Sequence, residues 1–174
     1  MEIVDALNKT IRDILDFPVK GIVFKDITPL LADINLYNAV IDKMAEQYKD
    51  KKINKVVGLE SRGFIFGISL AQKLGVSFVP IRKQGKLPYK TISTEYCLEY
   101  GTACIEIHTD AISENDNVLV VDDLLATGGT SAAAVELVQR LKGNVVACVF
   151  LIELLFLNGK SKLKDIEVFS ILKY

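Results

Sequence analysis

Apolar residues fall along this chain in two rhythms. Over residues 2–16, Ile3, Val4, Leu7, Ile11, Ile14 and Leu15 recur at three- and four-residue intervals, the spacing that gathers side chains on one helix face. A second such run, through Tyr37, Val40, Ile41, Met44 and Tyr48, follows Asp33, whose carboxylate suits the cap of a first turn. Both predict helices with one buried face. From residue 54 the rhythm shortens. "KVVGLE" predicts a strand, "RGFIFGISLAQKL" a helix closed by Gly75, and "SFVPI" a second strand. The same order returns with 118–122 as strand, 130–142 as helix with Val135, Val138 and Leu141 on one face and Gly143 as its stop, and 145–152 as strand. Repeated β-α-β units predict an α/β fold, a Rossmann-like parallel sheet flanked by helices.

Between these units lies "KQGKLPYKTISTEYCLEYG", residues 83–101, polar and broken by two glycines and a proline. It reads as a mobile excursion, with a hairpin as one form it could take, and is long enough to be a lid. No repeat or low-complexity linker divides the chain, so a single domain over 1–174 is expected.

Half the residues are hydrophobic and a quarter charged, the balance of a folded domain, while the formal charge of −1 offers no general attraction to polyanions. Nucleic acid is therefore not an expected partner, and any anion site has to be built locally. Cys97, Cys104 and Cys148 are widely spaced and odd in number, which fits reduced thiols rather than a disulfide framework or a zinc site. The longest apolar run, 145–157, contains Glu153 and is too short to span a bilayer, and the first residues lack the pattern of a signal peptide. A cytoplasmic location without membrane attachment is the expectation.

In open parallel sheets ligands collect at the carboxyl ends of strands. Two such ends carry unusual residues here, Glu60–Gly63 and Asp122–Thr130. Asp122 and Asp123 offer paired acceptors for a vicinal diol, as on ribose, and a nearby divalent cation would relieve their repulsion. Ala126, Thr127, Gly128, Gly129 and Thr130 follow at once, at the start of a helix, where unpaired N–H groups, the helix dipole and two hydroxyls favour phosphate. Diol and phosphate acceptors this close together point to one ligand, a ribose 5-phosphate moiety. Neither a Walker loop nor G-x-G-x-x-G is present.

At "VLVVDDLLATGGT" the chain strongly resembles the type I phosphoribosyltransferases. Similar stretches are "IRDILDFPVKGIVFKDITPLL" at 11–31, "GLESRGFIFG" at 58–67, "VPIRKQGKLP" at 79–88, "LEYG" at 98–101 and "LIELLFLNG" at 151–159. Lys20 and Tyr89 depart from the family pattern, where proline and glycine are commoner.

The resemblance implies the type I fold with a small N-terminal hood, mainly 1–35, and a flexible lid at about 83–101. It implies magnesium-dependent transfer of phosphoribose from 5-phosphoribosyl 1-diphosphate to N9 of adenine, yielding AMP and pyrophosphate, by a homodimer. Magnesium is expected to be held mainly through substrate and water rather than by direct protein ligands. Glu60, Ser61, Arg62, Arg82, Lys83 and Lys86 are implied at pyrophosphate, with Arg82 acting across the dimer interface. Arg62 and Glu99 are the implied catalytic residues, Glu99 managing the proton at N7 or N9 of the base. Phe24 is implied to stack on adenine, with the main chain of Val23 and Lys25 at the base edge. Transfer to another base, or a sensor that binds the diphosphate without turnover, are the alternatives. His108 has no metal-binding neighbours in sequence and is given no catalytic role, and Glu153 is read as a paired structural acid.

Overall fold

The computed structural model describes residues 3–97 and 102–174. The chain divides into two compact units, Met1–Lys43 and Met44–Tyr174.

The first unit contains α1 (Ile3–Thr10), β1 (Arg12–Leu15), β2 (Val23–Asp26), α2 (Thr28–Ala32) and the start of α3 (Ile34–Glu46). The helical spacing over 2–16 is realised only as far as Thr10. The Ile11 N–H closes the last turn on the Leu7 carbonyl at 2.8 Å, and from Arg12 the backbone turns to an antiparallel ladder with β2. Ile14 and Leu15 kept the spacing of a helix, but Phe24 and Val23 supply their backbone partners instead. Cross-strand charges reinforce the ladder: Lys25 Nζ lies 2.6 Å from Asp13 Oδ1, and Arg12 Nε lies 3.8 Å from Asp26 Oδ2. As expected, Asp33 caps α3, accepting the N–H groups of Asn35 and Leu36 at 3.1 and 3.0 Å.

The second unit is built on a seven-stranded sheet. Its strands are β3 (Lys55–Leu59), β4 (Ser77–Lys83), β5 (Thr91–Cys97), β6 (Thr102–His108), β7 (Asn117–Leu125), β8 (Asn144–Glu153) and β9 (Glu167–Lys173), in the spatial order β5-β6-β4-β3-β7-β8-β9. The run from β4 to β9 is parallel, and β6 and β5 add an antiparallel edge. Thr91–Cys97, inside the segment read as an excursion, is thus a strand of this sheet.

The helix α4 (Arg62–Leu74) links β3 to β4, and α5 (Gly129–Arg140) links β7 to β8. From the adjacent pair β3 and β7 the segments β3-α4-β4 and β7-α5-β8 run in opposite directions across the sheet. Right-handed crossovers therefore place α4 and α5 on opposite faces and leave a crevice between the carboxyl ends of β3 and β7. Val57 and Leu59 of β3 and Val118 and Val120 of β7 join Ala133, Ala134, Leu137 and Val138 of α5 in one core. With both faces covered, these strands read as continuous apolar runs rather than alternating ones.

Gly75 ends α4 in the left-handed conformation, φ 69°, as expected. The end of α5 differs from expectation. Lys142 takes the left-handed turn, φ 66°, and Gly143 follows it, donating its N–H to the Val138 carbonyl at 3.0 Å. Glu153 is buried and accepts the Ser170 hydroxyl at 2.7 Å. No helix among the described residues is long and apolar enough to cross a membrane.

Candidate active site

β7 runs to Leu125, three residues beyond the expected end at residue 122, so Asp122 and Asp123 lie within the strand rather than at its last position. Even so, both line a polar cavity of about 290 Å³, together with Glu60, Ser61, Arg62 and Lys83. The first turn of α4 makes this possible. Arg62 opens that helix and its Nε lies 3.0 Å from Asp123 Oδ2. Gly63 comes next, and a Cβ there would stand 2.8 Å from Asp122 Oδ1. Absence of a side chain at residue 63 gives the Asp122 carboxylate its room, and that oxygen also accepts the Asp123 N–H at 2.9 Å.

The two acids are poised differently. Burial, then the charge of Asp123, pushes the Asp122 carboxyl well above the ordinary carboxylate range. Burial raises Asp123 as well, opposed by the guanidinium of Arg62. The pair therefore favours any ligand that brings hydroxyl donors or positive charge.

Across the cavity a second carboxylate organises cations. Glu60 Oε2 accepts from Arg82 Nε at 3.1 Å and from the Lys83 N–H at 3.0 Å. Partial burial works against its ionised form, but these two donors prevail and hold the Glu60 carboxyl below the usual range. Its carboxylate is thus occupied in aiming Arg82 and the Lys83 backbone, and its own N–H donates to the Ile81 carbonyl at 3.0 Å, so Glu60 orients other donors toward the cavity. Arg82 Nη1 further donates to the Lys86 carbonyl at 3.2 Å, tying the exposed Lys86 to the same cluster. The Glu60–Ser61 peptide is cis.

Beyond Leu125, Ala126 and Thr127 lead into α5, with Gly128 left-handed at its N-cap, φ 76°. Gly129 and Thr130 form the first turn, whose N–H groups have no partners within the helix and point where an anion would sit. Sequence reasoning missed what holds this loop. A Cβ on Gly159 would overlap the Ala126 carbonyl oxygen and stand 2.9 Å from the Gly128 nitrogen, and a Cβ on Gly128 would overlap the Gly159 carbonyl oxygen. Two glycine backbones lie directly against each other, 31 positions apart. The only signal in the chain was the Asn158–Gly159 pair, with Asn158 left-handed at φ 50°.

Val23, Phe24 and Lys25 lie together on β2 of the first unit. Phe24 is half-buried and packs edge-on against Phe17, ring centroids 5.1 Å apart. The loop joining β1 to β2 is closed by the Gly21 N–H on Asp16 Oδ1 at 2.7 Å and by the Phe17 N–H on the Ile22 carbonyl at 3.3 Å. Glu99 lies outside the described residues. Among the described residues, no group of three or more His, Cys, Asp or Glu side chains is placed to hold a metal ion by itself.

A sheet with its crevice between two strand ends, an acidic pair beside one helix N-terminus and a glycine loop at another match a known class. The model for the phosphoribosyl transferase domain matches residues 29–173. The adenine phosphoribosyltransferase of Halothermothrix orenii is 58% identical over 167 residues, covering 96% of this chain and 98% of the relative. Among solved structures, the adenine phosphoribosyltransferase of Thermoanaerobacter pseudethanolicus superposes with a TM-score of 0.96 at 49% identity, covering 98% of this chain and 99% of that one. The enzyme from Saccharomyces cerevisiae, solved with adenine and an imino-altritol bisphosphate, superposes with a TM-score of 0.92 at 43% identity, covering 97% of each chain. The chain belongs to the phosphoribosyltransferase family, and within it to the adenine phosphoribosyltransferases.

Proposed function

We propose that the crevice at the ends of β3 and β7 is where this chain transfers phosphoribose from 5-phosphoribosyl 1-diphosphate to N9 of adenine, releasing AMP and pyrophosphate in purine salvage. The observation that carries this reading is the shared polar cavity of Glu60, Ser61, Arg62, Lys83, Asp122 and Asp123, with the glycine loop continuing from the same strand.

In this reading Asp122 and Asp123 receive the ribose hydroxyls, and the backbone of 126–130 with the Thr127 and Thr130 hydroxyls receives the 5-phosphate. As the bond from C1 to the diphosphate lengthens, negative charge grows on the leaving oxygen. Arg62, Arg82, Lys83, Lys86 and the main chain of Ser61 are the donors on that side, with Glu60 holding Arg82 and the Lys83 backbone in place. Phe24 stacks on adenine, and the backbone of Val23 and Lys25 meets its edge, in the hood formed by the N-terminal residues. Glu99 manages the proton at N7 or N9. The lid, about 83–101, excludes water from the sugar carbon as it gains positive character.

Magnesium fits this donor set as an ion carried by the diphosphate and water. Two carboxylates, one of them pushed toward its neutral form by burial and by its neighbour, face the cavity and gain from added positive charge. Bound there, the ion neutralises diphosphate charge. A homodimer in the cytoplasm completes the proposal.

The test is pyrophosphate release from 5-phosphoribosyl 1-diphosphate and magnesium, with adenine, hypoxanthine, guanine, xanthine or orotate supplied singly. Release with adenine alone, and AMP as co-product, is expected. Release with another base overturns the base assignment, and binding without release for every base overturns the enzyme reading.

A further inference from the structure

Glu106 is one of few buried charged side chains among the described residues, 4% exposed, and the proposed reaction gives it no task. It lies on β6 directly opposite Arg82 of β4, in the antiparallel pair that fastens the edge hairpin to the sheet. Its carboxylate is turned to the loop that follows β4. Oε1 accepts the N–H groups of Lys86 and Leu87, each at 3.0 Å, and Oε2 accepts the Thr91 hydroxyl at 3.3 Å. Burial alone would favour the neutral acid, but the N–H groups of Leu87, Gly85 and Lys86 and the Thr91 hydroxyl reverse this and hold Glu106 below the ordinary carboxylate range.

The bonds continue from there in one direction. Lys86, gripped through its N–H, presents its carbonyl to Arg82 Nη1 at 3.2 Å, and Arg82 Nε is bound by Glu60 at 3.1 Å. The cavity-lining Lys83 shares that Glu60 oxygen through its N–H at 3.0 Å. Two carboxylates, one on each side of β4, thus clamp a set of three cationic residues through their backbone and one guanidinium. A charged acceptor of several backbone N–H groups fixes a loop far more firmly than solvent does.

We propose that Glu106 is a positioning residue for the pyrophosphate end of the site, setting Lys86 and Arg82 in place through the backbone of residues 85–87. The inference rests on the assignment of Arg82, Lys83 and Lys86 to pyrophosphate. Glu106 has no contact with substrate in this scheme; removing it loosens the cations while the 5-phosphate loop and the base hairpin stay as they are.

The experiment compares Glu106→Ala, Glu106→Gln and Arg82→Ala by steady-state kinetics and by titration with pyrophosphate and with AMP. Glu106→Ala should raise KM for 5-phosphoribosyl 1-diphosphate and Kd for pyrophosphate by roughly tenfold or more, the scale of losing charged hydrogen bonds. AMP, which carries no pyrophosphate, should bind within about twofold of the parent, on the same scale of reasoning, and its binding also certifies the fold. Glu106→Gln should recover much of the loss, because its carbonyl oxygen can accept from Lys86 and Leu87 while its amide donates to the Thr91 hydroxyl. In an Arg82→Ala, Lys86→Ala background the Glu106→Ala effect should largely vanish. Equal weakening of AMP and pyrophosphate, or an unchanged pyrophosphate Kd beside a weakened Arg82→Ala, overturns the positioning role. An unchanged pyrophosphate Kd in Arg82→Ala itself overturns the underlying assignment instead.

Discussion

In the proposed function, the crevice at the ends of β3 and β7 and the β1–β2 hairpin solve recognition in opposite ways. In the crevice most groups are held by a neighbour: Asp123 by Arg62, Arg82 and the Lys83 N–H by Glu60, and the glycine loop by the backbone of Gly159. On the hairpin, Leu15 and Val23 at the ends of two four-residue strands and Phe17, Val19 and Ile22 in the loop between them are exposed apolar residues. Phosphates and a developing negative charge reward donors that need no reorganisation, so their site is fixed before the substrate arrives. A flat, mostly apolar base rewards covered surface and tolerates adjustment. Substitutions in the crevice should therefore be costly and specific for the diphosphate substrate, and those on the hairpin mild and specific for the base.

The largest expected effect comes from the acidic pair. Replacing Asp122 and Asp123 together by Asn removes two charged acceptors for the ribose diol, each worth about 1.5–3 kcal/mol. A loss of about 10²–10⁴-fold in kcat/KM for 5-phosphoribosyl 1-diphosphate is expected, with the far-ultraviolet spectrum of the folded chain retained. An unchanged KM for that substrate would remove the diol role.

Next in size is Gly159→Ala. Its methyl has to displace the Ala126 carbonyl or the Gly128 backbone, at an overpacking cost of about 1–3 kcal/mol. KM for the diphosphate substrate should rise by about 5- to 100-fold while KM for adenine stays within about twofold, because the damage is confined to the phosphate loop. Equal changes in both constants would mean that the crevice and the hairpin respond as one body, and the contrast drawn above would fail.

Phe24→Ala tests the other side. An aromatic pair is worth about 0.5–1.5 kcal/mol beyond its buried area, so KM for adenine should rise by about 2- to 10-fold with the diphosphate KM unmoved. A larger effect on the diphosphate than on adenine would place Phe24 outside base recognition.

How much of this was legible beforehand follows from distance along the chain. The units β3-α4-β4 and β7-α5-β8 could be read because strands buried on both faces are apolar throughout and each helix carries its own stripe and stop. The placement of Asp122 through Thr130 between a strand and the start of a helix could be read because the two acids and the small-residue loop are consecutive. The strand β1 could not, since Ile14 and Leu15 keep helical spacing while their backbone partners lie on β2. Gly159 and Glu106 act across 31 and about 20 positions, through backbone groups that leave no periodic trace. Glu60 is placed at pyrophosphate by the resemblance alone, and that its carboxylate binds a cation is visible only in the Arg82 contact.

The smallest effect separates the adjacent acids by stability rather than activity. Asp122 titrates above the ordinary carboxylate range in the folded chain because of burial and the charge of Asp123. Between the unfolded value near 3.9 and its raised folded value, the folded state binds more protons than the unfolded one, so stability falls as pH rises through that window. Above the window the full penalty of a buried negative charge remains. Asp122→Asn abolishes the penalty and keeps an oxygen to accept the Asp123 N–H. At neutral pH the single variant should therefore melt higher than the parent, by about 2–4 °C for a gain near 1 kcal/mol, and the difference should shrink as pH falls toward 4. The same variant should bind 5-phosphoribosyl 1-diphosphate less well. A melting temperature that drops at neutral pH would mean that the Asp122 charge is compensated within the fold, and that the crevice stores no strain of charge for its substrate to relieve.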